Sequence, residues 1–138
     1  MTKNYLEWCN KRYNTEQFKK VFQGAIQIAD YWLDEIHPLR SDLLEILSDY
    51  YAILGSNEDM IKYMKDSLNI AIKFWGVNSL QAGMKQYELG DRYLRNGNKK
   101  EAVEFFTKSK DNLELNKAKT SKLGLIYVKL ASIFLSDL

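Results

Sequence analysis

The chain has 138 residues, 46% hydrophobic and 28% charged, with a formal net charge of +2, one proline, one cysteine and one histidine. That length and apolar content exclude a disordered tail and suffice for one compact domain or a short repeat array. One cysteine excludes an internal disulfide, one histidine excludes a His-rich metal or relay site, and so small a charge does not by itself imply a nucleic-acid partner.

Apolar spacing predicts seven helices, over 3–12, 15–35, 39–54, 58–75, 79–96, 99–116 and 119–137. The first carries Cys9, expected to be a small buried hydrophobe. Pro38 falls in the first turn of the third helix, where its missing N–H costs nothing, and His37 before it is expected to act as a cap or interface residue. Gly55 and Gly97 stand where one helix stops and the next begins, a natural place for a left-handed turn. Over 58–75, Met60, Met64, Leu68, Ala71, Ile72 and Trp75 form one apolar stripe. Ser56 or Asn57 can cap its start, with Glu58 and Asp59 suited to the positive end of the helix dipole. The last helix is apolar nearly all round, through Leu123, Leu125, Ile126, Leu130, Ile133, Phe134 and Leu138. Such a surface needs a cover, from a longer array, a partner or a second copy. No apolar run approaches the ~18 residues of a membrane span, and the first residues do not read as a signal peptide, so a soluble cytoplasmic protein is expected.

The chain repeats itself. Leu47, Asp49, Tyr51 and Gly55 recur as Leu89, Asp91, Tyr93 and Gly97, an offset of 42. The same offset carries Met60 to Ala102, Met64 to Phe106, Ser67 to Ser109 and Ala71 to Leu113. Backwards it reaches Phe18, Phe22, Ala25 and Ala29, and forwards Ala131 and Leu135. The units are a partial repeat over 1–36, repeats over 37–78 and 79–118, and an opening or capping helix over 119–138, together one all-α domain.

Leu89, Gly90, Tyr93, Ala102, Phe106 and Ser109 fill the Leu-Gly, Tyr, small, aromatic and small places of the tetratricopeptide pattern. Leu47, Ser48, Tyr51, Met60, Met64 and Ser67 fill them more loosely. With a period of 42 rather than 34, with Ile36-His37-Pro38-Leu39 after a long helix, and with Ser67 to Ala71 followed by Trp75-Gly76-Val77-Asn78-Ser79-Leu80, the chain resembles the kinesin-light-chain type of tetratricopeptide array. It is also similar to the C-terminal helical domain of SET–MYND lysine methyltransferases. The first resemblance implies an antiparallel helix-pair superhelix serving as a protein–protein interaction module or scaffold. The second implies the accessory domain of a larger enzyme.

No nucleophile–base–acid set, phosphate loop or zinc pattern is present in the sequence, so neither catalysis nor a metal or other cofactor is expected. Lys108, Lys110, Lys117, Lys119 and Lys122 cluster near the last linker and are expected to be a solvated surface rather than a nucleic-acid site.

The tetratricopeptide register places the first helix of each pair on a concave binding face. Its lining would be Asp42, Glu45, Asp49 and Ala52, then Met84, Tyr87, Glu88, Asp91, Leu94 and Arg95, flanked by Glu7 and Asn10 and by Ile126, Lys129 and Ile133. Chaperone-binding relatives hold a C-terminal carboxylate with Lys and Asn at such places. Glu45 and Asp49 would repel that ligand. The expected binding residues are Asp42, Glu45, Asp49, Met84, Tyr87, Glu88 and Asp91, and the expected ligand is a basic or amphipathic segment of a partner protein.

Overall fold

The computed structural model describes residues 15–136. Among these there are six helices and no strand: α1 (Thr15–Trp32), α2 (Pro38–Ile53), α3 (Asn57–Trp75), α4 (Leu80–Arg95), α5 (Lys99–Leu115) and α6 (Ser121–Ser136). The helix expected over 3–12, with Cys9, Glu7 and Asn10, lies outside the described residues. The chain divides into two compact units, Met1–Ile70 and Ala71–Leu138, with the division falling inside α3. No helix among the described residues is long and apolar enough to cross a membrane.

The helix ends follow from local chemistry. His37 is extended (φ −63°, ψ 136°), its Nδ1 accepts from the Leu39 amide at 3.1 Å, and Pro38 opens α2. A residue before proline is pushed out of the helical region, which keeps His37 extended; α1 itself ends earlier, at Trp32 rather than at 35 as predicted. The last turn of α1 has no basic residue of its own. Arg40 of α2 supplies one: it pairs with Asp30 at 2.8 Å and reaches the Ala29 and Leu33 carbonyls at 3.4 Å. Ser79 caps α4 by accepting from the Ala82 amide at 3.0 Å. Gly55, Gly76 and Gly97 all take positive φ, between 79° and 100°, at the ends of α2, α3 and α4. The left-handed turns expected at Gly55 and Gly97 are therefore present, with a third at Gly76.

In the first unit Phe18 and Phe22 of α1 and Tyr50 of α2 are buried together, with the Phe18 and Tyr50 rings stacked at 4.9 Å. Ile26, Leu43, Ile46, Leu47 and Tyr51 pack around them. Small residues join α2 to α3. Ser41 Oγ donates to the Ser67 carbonyl at 2.7 Å, Ser67 Oγ donates back to the Ser41 carbonyl at 2.6 Å, and Ser48 Oγ donates to the Met60 carbonyl at 2.6 Å. Met60, Met64, Leu68 and Ala71 of the predicted stripe are buried. Trp75 is not. It lies in the last turn of α3, is 47% exposed, and has its edge against Phe74.

In the second unit the contact recurs one repeat later. Ser109 Oγ of α5 donates to the Gly83 carbonyl of α4 at 2.6 Å, the counterpart of Ser67 on Ser41. Leu89, Tyr93, Ala102, Phe106 and Leu113 are buried here, as the repeat implied. Asn112, also buried, donates to Gln86 Oε1 at 2.8 Å and to the Val77 carbonyl at 2.9 Å, fastening the 76–79 turn onto α5. Tertiary hydrogen bonds thus satisfy polar groups that would be costly to bury alone.

Candidate functional site

The predicted binding residues fall on two helices. On α2, Asp42 is exposed, while Glu45, Asp49 and Ala52 are half-buried. Asp42, Glu45 and Asp49 each have interactions with neighbouring groups. Asp42 is one of the residues lining an open, almost wholly apolar groove of about 590 Å³ between α1 and α2, with Ile28, Trp32, Leu33, Leu39 and Leu43. Spacings of three and four residues put all three carboxylates on one side of α2.

On α4 the structure brings Tyr87, Glu88 and Asp91 together and adds partners that the sequence expectation lacked. Lys122 Nζ of α6 donates to Glu88 Oε1 at 2.7 Å. The buried Arg92 guanidinium donates to Glu88 Oε2 at 3.1 Å and to the Glu88 carbonyl at 3.0 Å. Asp91 receives Lys129 Nζ of α6 on one oxygen and Arg95 at 3.1 Å on the other. Both ammonium groups lie over the Tyr87 ring, Lys122 Nζ 5.1 Å and Lys129 Nζ 5.0 Å from its centroid, within cation–π range. Beneath it Tyr87 meets Phe106, ring centres 5.8 Å apart. Met84 is half-buried on the same helix.

Electrostatics follow the contacts. Burial acts to raise the Glu88 carboxyl, but Lys122 and Arg92 outweigh it and hold the group below the usual carboxylate range. Burial acts to lower the Lys129 ammonium, and Asp91 and Tyr87 outweigh that, leaving it raised. Both groups are charged at neutral pH.

Other expected lining residues are placed differently. Ile126 and Ile133 are enclosed by their own unit and line no open face. They share the inward side of α6 with Lys122 and Lys129, which is why that side is shut. Within the basic cluster, Lys108 meets Glu104 at 2.9 Å, Lys110 meets Asp111 at 3.0 Å, and Lys122 is taken by Glu88. Among the described residues no group of three His, Cys, Asp or Glu side chains could hold a metal ion.

The lysine partners of Glu88 and Asp91 were missed because the repeat was read at its full offset of 42. They stand 34 and 38 residues downstream, two turns and one turn short of it. Opposite charges at those spacings on successive first helices are the signal that could have found them.

Two solved structures are similar to this chain in fold over nearly its whole length. The BtubC (BKLC) protein of P. vanneervenii superposes with a TM-score of 0.79 over 96% of this chain, at 12% identity. A Podosopora anserina protein described as a kinesin light chain with nearly identical TPR-like repeats gives 0.78 over 99%, at 16% identity. The chain has a tetratricopeptide-like helical-repeat fold. It spans 52% of the first of those solved chains and 65% of the second. No family model and no curated protein matches the sequence.

Proposed function

We propose that this tetratricopeptide-like chain is a non-catalytic interaction module that binds a basic or amphipathic segment of a partner protein, with α2 as the primary contact. The supporting observation is the lysine site within the second unit: Tyr87, Glu88 and Asp91 hold two ammonium groups through carboxylates and a ring face. The same carboxylate chemistry is set out on α2 by Asp42, Glu45 and Asp49, beside the apolar groove at Asp42. On α2 these offer charge contacts and apolar contact to an amphipathic ligand. Within the second unit, Met84, Tyr87, Glu88 and Asp91 are proposed as a separate contact, with Lys122 and Lys129 on its carboxylates. The proposed setting is the cytoplasm, within a larger complex or a longer chain; a single cysteine suits a reducing compartment.

The test is binding of a labelled lysine-rich amphipathic peptide by fluorescence anisotropy. Affinity should fall steeply as salt rises, because exposed charges are screened over about 10 Å at 0.1 M. Asp42→Lys with Glu45→Lys and Asp49→Lys should remove binding while the far-ultraviolet circular dichroism stays that of the parent. Undiminished binding by that variant would exclude α2 as the contact.

A further inference from the structure

The repeat offset can be applied to burial as well as to residue type. On α4, Ala82, Gly83, Gln86, Leu89, Gly90 and Tyr93 are all buried, forming the face that receives α5. Their counterparts 42 residues on are Gly124, Leu125, Val128, Ala131, Ser132 and Leu135 of α6, and every one is exposed. So α6 presents the helix-receiving face of the fold, and no described element covers it. The opposite side of α6 is fully engaged through Ile126, Ile133, Lys122 and Lys129.

We propose that this face pairs with α6 of a second copy of the chain, as an antiparallel helix pair about a two-fold axis passing between Lys129 and Leu130. An antiparallel helix meets itself with residues paired symmetrically about the axis. That register sets Gly124 against Leu135 and Val128 against Ala131 along the centre, with Leu125 beside Ser132 on one flank and Tyr127 beside Phe134 on the other. Three of the four pairs oppose a small residue to a large one, the alternation that lets facing helices interdigitate. A face chosen to receive a different helix has no need of this self-complementarity.

Charge agrees. Among its described residues α6 carries only two charged side chains, Lys122 and Lys129, and both turn to Glu88 and Asp91. The outward face is uncharged, so two copies meet without like-charge repulsion. Such a face is more apolar than the surfaces of transient partners and resembles the core of a homodimer interface. Area agrees as well. Leu125, Tyr127, Val128, Phe134 and Leu135 are 46, 51, 66, 61 and 67% exposed. With a whole aromatic side chain worth roughly 150–250 Å² and the aliphatic ones less, they expose on the order of 500 Å² per copy. Pairing two such faces covers about 1,000 Å², the lower limit for a specific interface. The dimer is accordingly one that forms and dissociates with concentration.

Sedimentation equilibrium of the whole chain tests the proposal. The mass should move from one chain towards two as concentration rises from the micromolar to the millimolar range. Val128→Glu with Leu135→Glu should weaken association at least about a hundredfold, since each chain loses two buried apolar contacts, with parent helicity retained. Should that variant lose helicity, Val128→Ser with Leu135→Asn replaces it, with the same expectation. A second arm tests the register: mixing Val128→Glu chains with Ala131→Lys chains should restore dimers that neither forms alone. A parent that stays monomeric throughout overturns the proposal. So does association undiminished in the folded variants, or a mixture no more dimeric than its components.

Discussion

At the scale of single residues, the two repeats solve one packing problem in two ways. A Cβ added to Gly90 would come within 2.9 Å of the buried Phe106 ring. One repeat earlier, Ser48 carries that Cβ, and the place of Phe106 is taken by Met64, an unbranched side chain that fits around its neighbours. Gly90→Ser should therefore cost about 1–3 kcal/mol by overpacking. In a double-mutant cycle with Phe106→Met, urea denaturation should show a favourable coupling of about 0.5–3 kcal/mol. Strict additivity would mean that the two positions do not exchange volume. Glu88 gives a second prediction. Its folded carboxyl lies below the ordinary value of 4.5, so its contribution to stability is present above that value and disappears as pH falls through the folded one. Lys122→Met removes one of the groups holding it down. The acid limb of a stability–pH curve should then flatten below the ordinary value of 4.5. An unchanged acid limb would show that Lys122 does not set the charge state of Glu88.

At the scale of helices, the turns decide more than the helices do. Gly97 takes φ 82°, yet a Cβ there would meet nothing within 4 Å. The cost of a side chain at this position is thus conformational. Gly97→Val should destabilise by about 1–2 kcal/mol, and Gly97→Asn by less, because asparagine tolerates the left-handed region. Equal thermal midpoints for the parent and both variants would remove the turn from the account. Boundaries were legible wherever a turn residue stood in the sequence, as at Pro38, Gly55, Ser79 and Gly97. The end of α1 was overrun by three residues because nothing at Trp32 itself stops a helix. What meets that end is a tertiary contact, Arg40 of α2 reaching the Leu33 carbonyl.

For the whole molecule, the fold was legible because the chain states it twice: a period of 42 with matched residue types leaves little choice of architecture. The proposed binding surface was legible only in part. Which residues lie on the first helix of each pair follows from register. What neutralises them depends on the neighbouring helix, and Lys122 and Lys129 entered as partners only with the structure. Stripping them offers a prediction about charge distribution. Lys122→Met with Lys129→Met takes the formal charge from +2 to 0 and leaves Glu88 and Asp91 without their lysines. The basic peptide should then bind about tenfold more tightly, a gain of 1.4 kcal/mol. An unaltered affinity by anisotropy would confine the contact to α2.

The serine contacts carry a kinetic consequence. Ser41 with Ser67 and Gly83 with Ser109 both close a stretch of 26 residues. Ring closure of a flexible chain costs entropy that depends only on the logarithm of its length, so both closures face nearly the same barrier, and neither waits for a distant strand to arrive. Proteins whose contacts are this local fold in microseconds to milliseconds. In stopped-flow refolding the slow phases typical of long-range topologies should be missing, leaving the nascent helix pairs little time in which their apolar faces stand open to aggregation.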